Sequence, residues 1–131
     1  MKKFVVCLFV AAIAFSFTNS AFAVGAFQKQ FVKSYTSEKN NKDYFEAVAK
    51  AKCNVCHYGK SKKMRNDYGV ALSKLLDKSE FKTSLVKADP EGAEKKIVAA
   101  FEKVAKMKNA KGVTYGELIK KSELPGTAPK E

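Results

Sequence analysis

Histidine, arginine, cysteine, proline and tryptophan are scarce or missing in this 131-residue chain, which has one His, three Cys, three Pro and no Trp, with Arg65 its single arginine. A lone histidine excludes a two-histidine metal centre and leaves no second imidazole to act as acid or base opposite the first. Three cysteines and one histidine complete a four-ligand zinc site only if Cys7 takes part. No internal repeat and no credible strand pattern occurs, so sheet-based folds are not expected. Past Phe17 there is no apolar run long enough to cross a bilayer. Acidic residues are also outnumbered: 13 Asp and Glu stand against 25 Lys and Arg, a formal net charge of +12.

What is present begins with the pattern of an export signal. Met1-Lys2-Lys3 is positively charged, Phe4 to Phe17 is an apolar core, and Ser20-Ala21-Phe22-Ala23 offers small residues at the two positions that a signal peptidase reads. Cleavage is expected after Ala23, an uncleaved anchor being the alternative. Residues 24–131 then form one small exported domain, in the periplasm of a bacterium, with no integral membrane span. Cys7 leaves with the signal, so no third thiol remains, and losing Lys2 and Lys3 still leaves a strongly basic chain. Such a charge suits nucleic acid, an anionic surface or acidic proteins. Export argues against nucleic acid.

The chain is organised around Cys53-Asn54-Val55-Cys56-His57. A C-x-x-C-H run is the attachment signal of a c-type haem: two thiols that far apart reach the two vinyl groups of one porphyrin, and the adjoining imidazole takes the iron. Zinc lacks ligands once Cys7 is gone. A thioredoxin-like C-x-x-C would need a βαβ setting that the helical flanks do not provide, and a plain disulfide would leave His57 unexplained. Haem c is therefore the expected cofactor, one per chain, with Cys53 and Cys56 as thioether positions and His57 on the iron. The only methionines after the first residue, Met107 and Met64, are the candidates for a sixth ligand; a lysine, a residue of a partner chain, or no protein ligand are the other possibilities. Arg65 is a candidate for a bidentate contact with a haem propionate, because a guanidinium matches a carboxylate's geometry where an ammonium does not.

Helical spacing dominates the remainder. Phe27, Phe31 and Tyr35 share a face over Ala26 to Tyr35, and Thr36 to Asn41 reads as a polar loop. A second helix is expected from Lys42 to Lys52 with Phe45, Val48 and Ala49 inward, running into Cys53. Tyr58 to Asn66 is a loop rich in lysine, and Asp67 is expected to cap a helix to Lys78 carrying Tyr68, Leu72, Leu75 and Leu76. Ser79 to Ala88 is a weaker turn with Phe81 and Leu85. Asp89-Pro90-Glu91 has the form of a cap, a first-turn proline and an acidic first turn. It opens a long helix with Ile97, Ala100, Phe101, Val104 and Met107 on one face, to about Lys108. Thr114 and Glu117 have capping-box spacing, and the tail is expected to be loose from about Leu124. The expected fold is all-α, about four to five short helices wrapped around one haem.

The leader, the motif and its helical flanks resemble a small periplasmic monohaem c-type cytochrome of the broad class I layout, with the motif near the mature N-terminus and a methionine downstream. A weaker similarity runs to the small cytochromes of anammox-type bacteria, some of which pair as heterodimers; their cysteine sixth ligand has no counterpart in residues 24–131. The resemblance implies an all-helical fold around haem, with Cys53 and Cys56 bonded to it and His57 on the iron. One expected haem on a small basic exported domain with no other catalytic constellation points to a one-electron carrier and not an enzyme, with acidic redox partners docking near Lys60, Lys62 and Lys63. A gas-binding or sensing haem protein with an open sixth position, and a haem subunit of a larger redox complex, are the alternatives.

Overall fold

In the computed structural model, which describes residues 20–129, the chain is helical and contains no strand among those residues. Six α-helices run in order: α1 Ser20–Tyr35, α2 Lys42–Ala51, α3 Asp67–Ser73, α4 Thr83–Ala88, α5 Pro90–Ala105 and α6 Tyr115–Lys120. Two short 3-10 helices, Lys52–Val55 and Lys78–Phe81, fall between them. The all-α expectation holds, with α4 and the 3-10 turns as the added pieces. Of residues 1–23, read above as an expected export signal, 1–19 lie outside the described residues, and Ser20 to Ala23 begin α1. Among the described residues no helix is long and apolar enough to cross a membrane.

Helix ends follow from local chemistry. The Asp89 side chain accepts from the Gly92 N–H (2.9 Å), and Pro90 starts α5 where a missing N–H costs nothing. Thr114 and Glu117 form the reciprocal capping box of α6. Asn41 caps α2 by accepting from the Tyr44 N–H. At α3 the cap is Asn66 and not Asp67, which lies one residue inside the helix. That helix also stops at Ser73, short of Lys78, because Asp77 caps a fresh 3-10 turn by accepting from the Ser79 N–H (2.8 Å).

The core is a set of interlocking aromatic rings. α1 and α5 pack together, with Phe31 lying edge-on to Phe101 (5.9 Å between centroids) and to Tyr68 of α3 (6.0 Å). Tyr68 continues the chain of rings to Tyr115 of α6 (5.3 Å), and Phe27 meets Phe81 (5.0 Å). Each fully buried side chain of this kind contributes about 1.5–3 kcal/mol. The hydroxyls of Tyr44 and Tyr68 are buried without a hydrogen-bond partner among the described residues. Burial pushes the Tyr44 phenol up to about 12, and Tyr35 nearby adds to the shift.

Two inward faces and the C-terminal tail differ from expectation. On α2, Tyr44 and Val48 are buried while Phe45 is half-buried and Ala49 exposed, a stripe turned by one residue. Leu75 is 43 % exposed because α3 has already ended. The tail is held as far as Thr127: Pro125 is fully buried, and Thr127 donates its backbone N–H (2.6 Å) and hydroxyl (3.0 Å) to the Asp67 carboxylate. It was expected to be loose because neither contact has a local signal; Thr127 and Asp67 are 60 residues apart.

Candidate cofactor-binding site

The end of α2 sets up the site. The Lys52 N–H bonds back to the Val48 carbonyl, and the chain then turns at Lys52 through a left-handed φ of 50° into the 3-10 helix that carries Cys53 and Val55. Cys56 and His57 follow, their backbone N–H groups both donating to the Cys53 carbonyl. This tight winding sets the two thiols and the imidazole on the wall of one pocket. The pocket measures about 720 Å³ with its open mouth included. Phe27 and Phe31 of α1 and Leu72 and Leu76 of α3 and its end complete a largely apolar lining.

α3 approaches the motif closely enough to demand glycine. A Cβ on Gly69 would lie 2.0 Å from the Cys56 carbonyl oxygen, so only a residue without a side chain lets this helix form the pocket wall. Gly69 stands in the first turn of α3, and nothing in the local sequence marks it as a contact point.

His57 is held by a carbonyl. Its Nδ1 lies 3.1 Å from the Met64 backbone oxygen, and since a carbonyl can only accept, Nδ1 carries the proton and Nε2 keeps its lone pair. Burial lowers the imidazole's pKa; the Met64 hydrogen bond opposes this, and Arg65, Lys78 and Lys62 add repulsion of a proton. The net direction favours the neutral ring, the form that binds a metal. Burial pushes the Cys56 thiol up to about 12, Cys53 beside it adding to the shift, so it stays protonated at neutral pH.

The charged side chains lining the pocket, Lys52, Arg65 and Lys78, are all cationic. Arg65 arrives there through the return of the loop, in which His57 and Arg65 pair as an isolated antiparallel bridge and the Tyr58 N–H bonds to the Met64 carbonyl (3.1 Å). Lys60, Lys62 and Lys63 occupy the exposed tip of the same loop. An apolar slot with a cationic edge suits a flat apolar group carrying negative charge on one side.

The structure thus brings together Cys53, Cys56, His57 and Arg65. Neither Met64 nor Met107 is among the residues that line the pocket. Met64 contributes its carbonyl to His57, but its side chain is 46 % exposed and does not line the pocket. Met107 lies beyond the end of α5, 39 % exposed, where its backbone oxygen accepts from the Tyr115 N–H. The apolar stripe of α5 closes at Val104 because the helix ends at Ala105, so Met107 never reaches the face its spacing implied. No lining residue follows Lys78 in the chain. Lys52, Gly69 and Lys78 were not singled out from the sequence as pocket residues, and among groups of three or more His, Cys, Asp and Glu in the described residues none forms a metal cluster. No protein-family model, curated protein sequence or solved structure matches the chain.

Proposed function

We propose that this chain is an exported haem c protein that carries single electrons. The observation that carries the reading is the meeting of Cys53, Cys56 and His57 on one apolar pocket, with His57 Nδ1 already committed to the Met64 carbonyl and Nε2 left for iron. Bound haem would supply a reversible one-electron iron couple. The residues of the chain do the rest. Cys53 and Cys56 hold the group covalently, and His57 ligates it. Phe27, Phe31, Leu72 and Leu76 keep water from it, while Arg65, with Lys52 and Lys78, offsets the propionate charge. Lys60, Lys62 and Lys63 present a cationic rim to an acidic redox partner, in keeping with the excess of Lys that remains after Lys2 and Lys3 leave with the expected signal.

The experiment is expression in a host with a c-type haem maturation system, followed by intact mass and the pyridine haemochrome spectrum. One haem per chain with a bis-thioether spectrum is expected, lost in Cys53→Ser/Cys56→Ser. Recovery of only the unmodified chain would overturn the proposal.

A second reading rests on a separate observation: neither Met64 nor Met107 lines the pocket, which favours an open sixth position and therefore binding of a small gas. Rapid binding of carbon monoxide by the reduced protein supports the gas-binding reading. A six-coordinate, unreactive reduced state supports the carrier.

A further inference from the structure

The loop that delivers the Met64 carbonyl to His57 is closed at its far end by one side chain. Asn66 is 2 % exposed, and its backbone N–H donates to the Cys56 carbonyl (3.1 Å). Its side-chain Nδ2 donates to the Val55 carbonyl (3.1 Å) and lies within reach of the carbonyls of Asn54 (3.4 Å) and His57 (3.5 Å). Its Oδ1 accepts from the Gly69 N–H (2.9 Å) at the start of α3. One planar amide therefore ties the attachment motif to α3, the helix packed against it. Serine, threonine or aspartate would cap α3 equally well. Among the good capping residues only asparagine carries N–H donors beside its acceptor on the same rigid group.

A second feature backs it. A Cβ on Gly126 would sit 2.0 Å from Asn66 Nδ2, so the C-terminal segment lies flat against the amide only because it has glycine there. That segment is anchored on either side, by the buried Pro125 and by the two bonds from Thr127 to Asp67.

We propose that Asn66, seated by Gly126, is the positioning residue for His57: it holds the end of the loop in register with the motif and so sets the hydrogen bond between His57 Nδ1 and the Met64 carbonyl. The proposal rests on the reading of His57 as the iron ligand. A hydrogen bond at the second ring nitrogen makes a ligating imidazole a stronger donor and fixes its plane. Loosening the clamp weakens that donor, stabilises the ferric form less and raises the reduction potential.

Two variants of the holoprotein test this. Asn66→Ser keeps a cap for Gly69 but is too short to reach the motif carbonyls, and Gly126→Ala leaves Asn66 in place but displaces its amide. Asp89→Ala, which removes the side-chain cap at the start of α5, is the control for simple destabilisation. The readouts are the reduction potential and the order of the haem methyl resonances in the ferric protein, which follows the plane of the axial imidazole. Both clamp variants are expected to raise the potential and reorder the methyls, with the control unchanged. Wild-type values in both clamp variants, or an equal shift in the control, would overturn the role of Asn66 while leaving the haem assignment standing. If Asn66→Ser does not fold, Gly126→Ala decides alone. A wild-type chain without covalent haem overturns the functional reading and this proposal together.

Discussion

Lys52 has φ 50° and ψ −117°, a combination that side chains with a Cβ rarely adopt, at the position where α2 hands the chain to Cys53. A residue held there stores about 1–3 kcal/mol of strain. The turn is nonetheless required, since continuing α2 for one more residue would carry Cys53 along the helix instead of into the pocket wall. Lys52→Gly is therefore expected to stabilise the fold by about 1 kcal/mol, read as a higher denaturant midpoint in chemical unfolding; an unchanged or lower midpoint would show that the lysine's own contacts outweigh the strain. Other individual residues were readable without the fold. Cys53, Cys56 and His57 identify themselves by adjacency, because their chemistry depends on a spacing of a few residues. Asn66 was equally available as a cap, standing next to the Asp67 that was expected in its place, but its grip on three motif carbonyls depends on a return of the chain that no local pattern records.

Among the elements, those with a complete set of end signals were the most legible. α5 has its Asp89 cap and Pro90, and α6 its capping box, and both lie where the sequence places them to within a few residues. α3 is shorter than its pattern implies, because Leu72, Leu75 and Leu76 keep a helical period across a stop. The stop is made by the competing Asp77 cap, which leaves Leu75 exposed. The α6 cap also has a pH signature. The Thr114 backbone and side chain both hydrogen-bond to Glu117 and lower its pKa from the ordinary 4.5, opposed by slight desolvation. A depressed carboxyl contributes stability that is fully present above its unfolded value of 4.5 and is lost as pH falls through its lower folded value. Thr114→Ala is expected to reduce stability by about 1 kcal/mol at neutral pH and to flatten only the share of this acid limb that the Thr114 hydroxyl supplies, since alanine keeps the backbone N–H bond to Glu117, as read in a series of thermal melts below pH 4.5. A variant with the wild-type slope would assign the acid sensitivity to other carboxyls, Asp77 first among them, since its hydrogen bonds with Ser79 also lower its pKa.

At the scale of the whole molecule, charge and closure matter most. The ion pairs among the described residues, Lys33 with Glu94, Lys42 with Glu46 and Lys96 with Glu80, are all exposed and contribute little. Against them stands a formal net charge of +12. Self-repulsion should therefore outweigh local attraction, and adding sodium chloride from low ionic strength is expected to raise the thermal midpoint by screening. A midpoint that falls with salt would mean that the pairs dominate. The sequence by itself determined the helical class and the strongest caps, and set Cys53, Cys56 and His57 side by side, because each depends on residues within one or two turns of one another. Only the tertiary structure decided what stands around the motif: Phe27, Phe31, Leu72 and Leu76 as walls, Gly69 as the point of closest approach, and Pro125 to Thr127 as a closing strap. It also left the exposed Met64 and Met107 outside the lining of that pocket. Those outcomes depend on how separate helices pack their rings against one another, and that packing joins residues tens of positions apart, beyond the reach of any periodicity.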